Sequence, residues 1–118
     1  MRDTTSPAAP ALRQDRANVL AIEGDIDLHI SPAITESLNA MIKKKPERIV
    51  IDLSRATYID SAGVAALILD MQEVEAYGGT FLLSGLQETL RSIFEISGLD
   101  RTFRIFPDVD AALAASGA

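Results

Sequence analysis

Asp60, Ser61, Ala62 and Gly63 sit where a β-branched, strand-like run gives way to an apolar, helix-like one. A serine at such a junction admits three chemistries: it can attack an electrophile, cap a helix, or accept a phosphoryl group. Nucleophilic attack needs an oriented base. The chain has a single histidine, His29, and the serine's flanks read Ile59-Asp60-Ser61-Ala62-Gly63. The nucleophile elbow G-x-S-x-G would place glycine on both sides, and only the second is present. A lone histidine without an orienting partner is more often a surface residue than a base. A Ser61-dependent hydrolase is therefore the weakest of the three readings.

Other catalytic constellations fare no better. Neither G-x-x-x-x-G-K-[ST] nor G-x-G-x-x-G occurs, and Gly78-Gly79 follow a helical pattern instead of opening one. Asp25 and Asp27 are two residues apart, which on a strand puts both on one face. Two carboxylates can hold a divalent ion weakly, but a solvated loop is the commoner outcome. The expectation is a protein that is not an enzyme and carries no cofactor or metal. Capping is the commonest task for a serine before a helix. The same position also suits phosphate, because free N–H groups and the positive end of the helix dipole favour added negative charge. Spacing alone leaves cap and phosphoacceptor both open, with the cap favoured.

The elements around the junction set its geometry. "NVLAIEG" (Asn18 to Gly24) reads as a strand with Gly24 opening a loop, and a short strand near Leu12 to Asp15 is weakly signalled. Ser31-Pro32 predicts a helix start with Ser31 as cap, and Ile34, Leu38, Met41 and Ile42 recur at helical spacing until Pro46. "RIVIDLS" (Arg48 to Ser54) is a nearly continuous apolar run, as an interior strand requires. After the junction, Val64, Leu67, Ile68, Met71 and Val74 mark an inward helix face that stops at Tyr77-Gly78-Gly79. A strand (Thr80 to Gly85), a helix (Gln87 to Gly98), a strand (Thr102 to Phe106) and a short Ala-rich helix capped by Asp108 complete the order. Alternation at this spacing predicts an α/β fold with a small, mainly parallel sheet and about four helices. One domain is expected over residues 12–118, preceded by a disordered tail over residues 1–11, which is rich in Ala, Pro, Ser and Thr.

Composition narrows the partners. With no cysteine among 118 residues, disulfides and thiolate metal sites are excluded. A formal net charge of −6 with dispersed basic residues argues against nucleic acid, and Lys43 to Lys45 is read as complementing a helix C-terminus. The longest apolar run, Val64 to Leu69, is far short of the ~20 residues needed to span a bilayer. No signal peptide is visible, so a cytoplasmic protein without membrane association is expected.

Four ordered segments carry a resemblance beyond spacing. "YIDSAGVAALI" (Tyr58 to Ile68) resembles the signature of the STAS domain, named for sulphate transporters and anti-sigma factor antagonists. "GDIDLHISPAI" (Gly24 to Ile34) is similar to the family's G-[ED]-[LI]-D loop, "IVIDLS" and "GG…FLLSG" to the flanking strands, and "SGLDRTFRIF" (Ser97 to Phe106) to its closing segment. The likeness spans roughly Val19 to Ala115 and is closest to the stand-alone bacterial anti-sigma factor antagonists. Ala65 departs from it, standing where close relatives often have glycine.

The resemblance implies helices packed mainly on one face of the sheet, and a switch. In the family, the unphosphorylated antagonist binds an anti-sigma factor that is itself a serine kinase, and so frees the sigma factor. ATP is bound by that kinase. Phosphorylation of the serine after the motif's aspartate releases the antagonist, and a metal-dependent serine phosphatase restores it. By resemblance, Ser61 is the phosphoacceptor, and Asp25, Asp27, His29, Tyr58, Asp60, Ala62 and Gly63 form the partner-binding surface. Ala62, Ala65, Ala66 and Leu69 are a candidate apolar extension of it. A monomer or weak dimer is expected. Some STAS proteins instead serve lipid-transporter ATPase complexes, so a transporter subunit is the alternative.

Overall fold

The computed structural model describes residues 12–115, so the tail expected over residues 1–11 lies outside the described residues, as do residues 116–118. Five strands form one sheet in the order β1-β2-β3-β4-β5: β1 (Leu12–Arg16), β2 (Val19–Ile26), β3 (Arg48–Ile59), β4 (Thr80–Ser84) and β5 (Arg104–Phe106). β1 pairs antiparallel with β2, and every later pairing is parallel. The sheet is mixed, with its antiparallel strand at one edge.

Side chains alternate across a strand, so each strand feeds two faces. Ile49, Ile51 and Leu53 of β3 and Phe81 and Leu83 of β4 belong to the larger core, whereas Val50 and Leu82 belong to the smaller one. Helices α1 (Ser31–Ile42), α2 (Ser61–Ala76) and α3 (Glu88–Ser97) cover the larger face through Ile34, Leu38, Met41, Leu67, Val74, Leu90 and Phe94. The short α4 (Val109–Ala114) covers the other face with Ala112, against Val19, Val50 and Leu82. The expected architecture, with helices mainly on one face, is the observed one.

Several ends follow from local chemistry. Asp108 caps α4 by accepting the Ala111 N–H at 2.8 Å. Gly98 ends α3 at φ +74°, a left-handed position that favours glycine. The Tyr77 hydroxyl donates to the Pro46 carbonyl at 2.8 Å, tying the end of α2 to the turn before β3.

One boundary differs from expectation. Ser31 does not cap α1. Asp27 Oδ1 accepts the N–H groups of His29 (3.0 Å) and Ile30 (3.3 Å), and the Asp27 carbonyl accepts the Ser31 N–H (3.0 Å) and hydroxyl (2.8 Å). The chain thus begins turning at Asp27. Ser31 spends its hydroxyl on that turn, and Pro32 follows where its missing N–H costs nothing.

Candidate functional site

β2 and β3 run parallel and finish side by side, with Ile26 opposite Ile59. Their register shifts between Gly24 and Asp25, where Gly24 takes φ +90°. A bulge at a glycine re-aims the side chains after it. Asp25 therefore lies within β2 instead of a loop, and it accepts a 2.7 Å hydrogen bond from the Thr57 hydroxyl of β3.

Beyond Ile59 the chain turns sharply into α2. The Asp60 N–H donates to the Ile26 carbonyl at 3.1 Å, which continues the β2–β3 pairing by one step. Asp60 has extended backbone (φ −106°, ψ −177°), and its carboxylate accepts the Gly63 N–H at 2.9 Å. Its carbonyl accepts the Val64 N–H at 2.9 Å. Asp60 is the cap, and the capping role expected as one reading of Ser61 falls to its neighbour.

Ser61 is the first residue of α2, exposed, and its hydroxyl makes no hydrogen bond among the described residues. A helix's first N–H groups have no partner within the helix, so this hydroxyl stands where a phosphate would be well placed.

Gly63 is buried directly over the end of β2. A Cβ there would overlap the Ile26 carbonyl oxygen and lie 2.8 Å from Ile26 Cγ2 and 2.9 Å from Ile59 Cγ1. Only glycine lets α2 sit this close to the strand. Gly63 thus contributes no side-chain surface to the site, and its position seats the turn.

Around Ser61 the surface mixes acidic and apolar groups. Asp25 is exposed and Asp27 and Asp60 half-buried, while Leu28 (73% exposed) and Tyr58 (47%) stand out into solvent. Ala65 and Leu69 follow Ser61 at four-residue intervals along the outer ridge of α2, with Leu69 61% exposed. Ala62 is half-buried, and Ala66, named with this ridge as a candidate, is buried in the core. On the other side of the Asp27 turn, a groove of about 650 Å³ is lined by Leu12, Gly24, Asp25, Asp27, His29, Ile30 and Ala33. His29 is exposed at its rim.

The site residues therefore fall into two joined groups, Tyr58 to Ala62 at the α2 turn and Asp25 to His29 at the α1 turn, with the Ile26 carbonyl between them. Sequence reasoning missed Thr57, Leu28 and the capping role of Asp27. The Asp-x-His-Ile order carried the signal for the last: aspartate readily accepts N–H groups two and three residues on. No His/Asp/Glu cluster fit for a metal ion occurs among the described residues.

Comparison with known proteins places this geometry. The STAS domain profile matches residues 8–112. The anti-sigma-F factor antagonist RsfB of Mycobacterium tuberculosis is 30% identical over 95 residues, covering 80% of this chain and 77% of RsfB. The structure of an anti-sigma factor antagonist from Mycobacterium paratuberculosis superposes with a TM-score of 0.75 at 26% identity, over 93% of this chain and 96% of that one. The anti-sigma factor antagonist SpoIIAA, at 25% identity, aligns in its unphosphorylated form with a TM-score of 0.70, over 89% of this chain and 93% of SpoIIAA. Its phosphorylated form, a Bacillus cell fate determinant, aligns at 0.64 over 89% and 96%. Fold, turn geometry and these likenesses agree that the chain belongs to the STAS domain family, within its group of anti-sigma factor antagonists.

Proposed function

We propose that this protein is a non-catalytic binding module that sequesters an anti-sigma factor and is switched off by phosphorylation of Ser61. The observation that carries this reading is the division of labour at the α2 turn. Asp60 holds the cap, so the Ser61 hydroxyl is exposed, fixed on a rigid helix end and free for modification. The names of the relatives supply the partner class, and SpoIIAA, solved with and without phosphate, supplies a precedent for the modification.

The partner is an anti-sigma factor with serine kinase activity, which binds the ATP; this chain needs no cofactor of its own. Asp25, Asp27, His29, Tyr58, Asp60 and Ala62, seated by Gly63, form the docking face. A metal-dependent serine phosphatase resets the switch, and the exchange takes place in the cytoplasm. Among the described residues, no helix is long and apolar enough to cross a membrane.

The energetics are adequate. Emptying a nearly full complex requires about 5.5 kcal/mol of differential affinity. Phosphorylation adds about −1.5 to −2 charges at Ser61. Pressed into an interface beside the Asp60 carboxylate, that charge would lose water without gaining a counter-charge, and unpaired buried charge costs several kcal/mol.

The test uses the full chain, the cognate anti-sigma kinase and ATP. Mass spectrometry should place one phosphate on Ser61, with binding lost in step. Ser61→Ala should bind whether or not ATP is present, and Ser61→Asp should bind at least tenfold more weakly. A Ser61 that stays unmodified while the complex forms and dissociates normally would sink the switch.

A further inference from the structure

Asp70 lies near the middle of α2 on its inward line, with Gly63, Ala66, Leu67 and Val74. The residue is only 1% exposed, and its Oδ2 is buried with no hydrogen-bond partner among the described residues. Buried carboxylates are ordinarily paired or hydrogen-bonded, because desolvating an ion without compensation is expensive. Among the described residues, nothing in the surrounding elements compensates this one.

From the elements packed on α2, the neighbouring core is hydrocarbon. α1 offers Ile34, Leu38 and Met41, and its charged Glu36, with Lys43 just past its end, is exposed. β4 has no charged residue. The charged residues of β3 are engaged elsewhere: Arg48 Nη1 donates to the Leu113 carbonyl of α4, Asp52 accepts the Ser54 N–H, and Arg55 pairs with Glu23. The charge that does act on Asp70 is Glu73, one turn on along the same helix, and it repels a second carboxylate.

We propose that Asp70 makes the seating of α2 respond to pH: as a neutral acid it fits its apolar bed, and as a carboxylate it opposes it. Burial first, and then Glu73, push this carboxyl from the usual range near 4 up to about 7. The folded chain therefore keeps a proton that the unfolded chain releases. The contribution of Asp70 to stability is full below about pH 4, is lost as pH rises through about 7, and levels off above it. Because α2 carries Ser61 at its first position, the site turn is fastened to the element that loosens. The pH response of α2 is the same whichever partner Ser61 meets.

Two measurements on the whole chain test it. Carboxyl-carbon NMR of the wild-type protein should show Asp70 titrating near 7; titration near 4 would overturn the proposal without any variant having to fold. Urea unfolding should show the folding constant of the wild type dropping more than about tenfold between about pH 5.5 and about pH 7.5. Asp70→Asn and Asp70→Leu, which cannot ionise at this position, should lack that drop. Profiles that run parallel for wild type and variants would also overturn it.

Discussion

Asp60 and Ser61 are adjacent and both suited to cap a helix, and their division of labour can be weighed residue by residue. Asp60→Ala removes the acceptor of the Gly63 N–H and should cost about 1 kcal/mol, within the ~0.5–2 kcal/mol typical of a lost cap. Ser61→Ala removes a hydroxyl that makes no bond among the described residues, and should stay within about 0.5 kcal/mol of wild type. Paired thermal or urea melts decide it, and the reverse ranking would return the cap to Ser61. The sequence identified this turn but misassigned its cap by one place. Two cap-competent residues in succession look alike as text, and only the extended backbone of Asp60 settles which accepts the bond. Asp27 was hidden for a related reason: Ser31-Pro32 is a strong start signal, and it drew the boundary away from a turn beginning four residues earlier.

At the scale of elements, the seat of α2 on β2 is the critical contact. Gly63→Ala would force a methyl group into the Ile26 carbonyl and two isoleucine side chains, and backbone cannot yield as a flexible side chain does. A destabilisation of about 1–3 kcal/mol is expected, the range for overpacking, with the Asp60 cap strained as the first turn lifts. An unchanged urea midpoint would show that the helix is not held this tightly. Element order was legible in advance because strand and helix periodicities alternate cleanly and glycine, proline and aspartate mark the ends. The inward face of α2 was only half legible. Leu67 and Val74 are deeply buried as expected, but Val64, Ile68 and Met71 are only half-buried, while Asp70 lies fully inside. Hydropathy assigns an aspartate to the solvent side, so a helix rotated to bury one gives no warning in its sequence.

For the whole molecule, the two faces of the sheet are unequally protected. Among the described residues, three helices cover one, and the short α4 alone closes the other over Val19, Val50 and Leu82. Ending the chain before Pro107 would bare that patch. The expected results are a loss of about 3 kcal/mol or more from unburied Val and Leu side chains, and self-association visible by light scattering. A truncated chain that stayed monomeric and equally stable would show that α4 is dispensable. The unequal cover also explains why the sheet's central strands read as continuous apolar runs: both of their faces are buried, one deeply and one thinly.

A practical opening comes from the free hydroxyl at the head of α2. The chain contains no cysteine, so Ser61→Cys would carry its only thiol. That thiol would occupy a position the fold does not use and project from a rigid platform. A fluorophore or spin label attached there would report a docking partner directly, and a negatively charged adduct of graded size would separate the contribution of bulk at this position from that of charge.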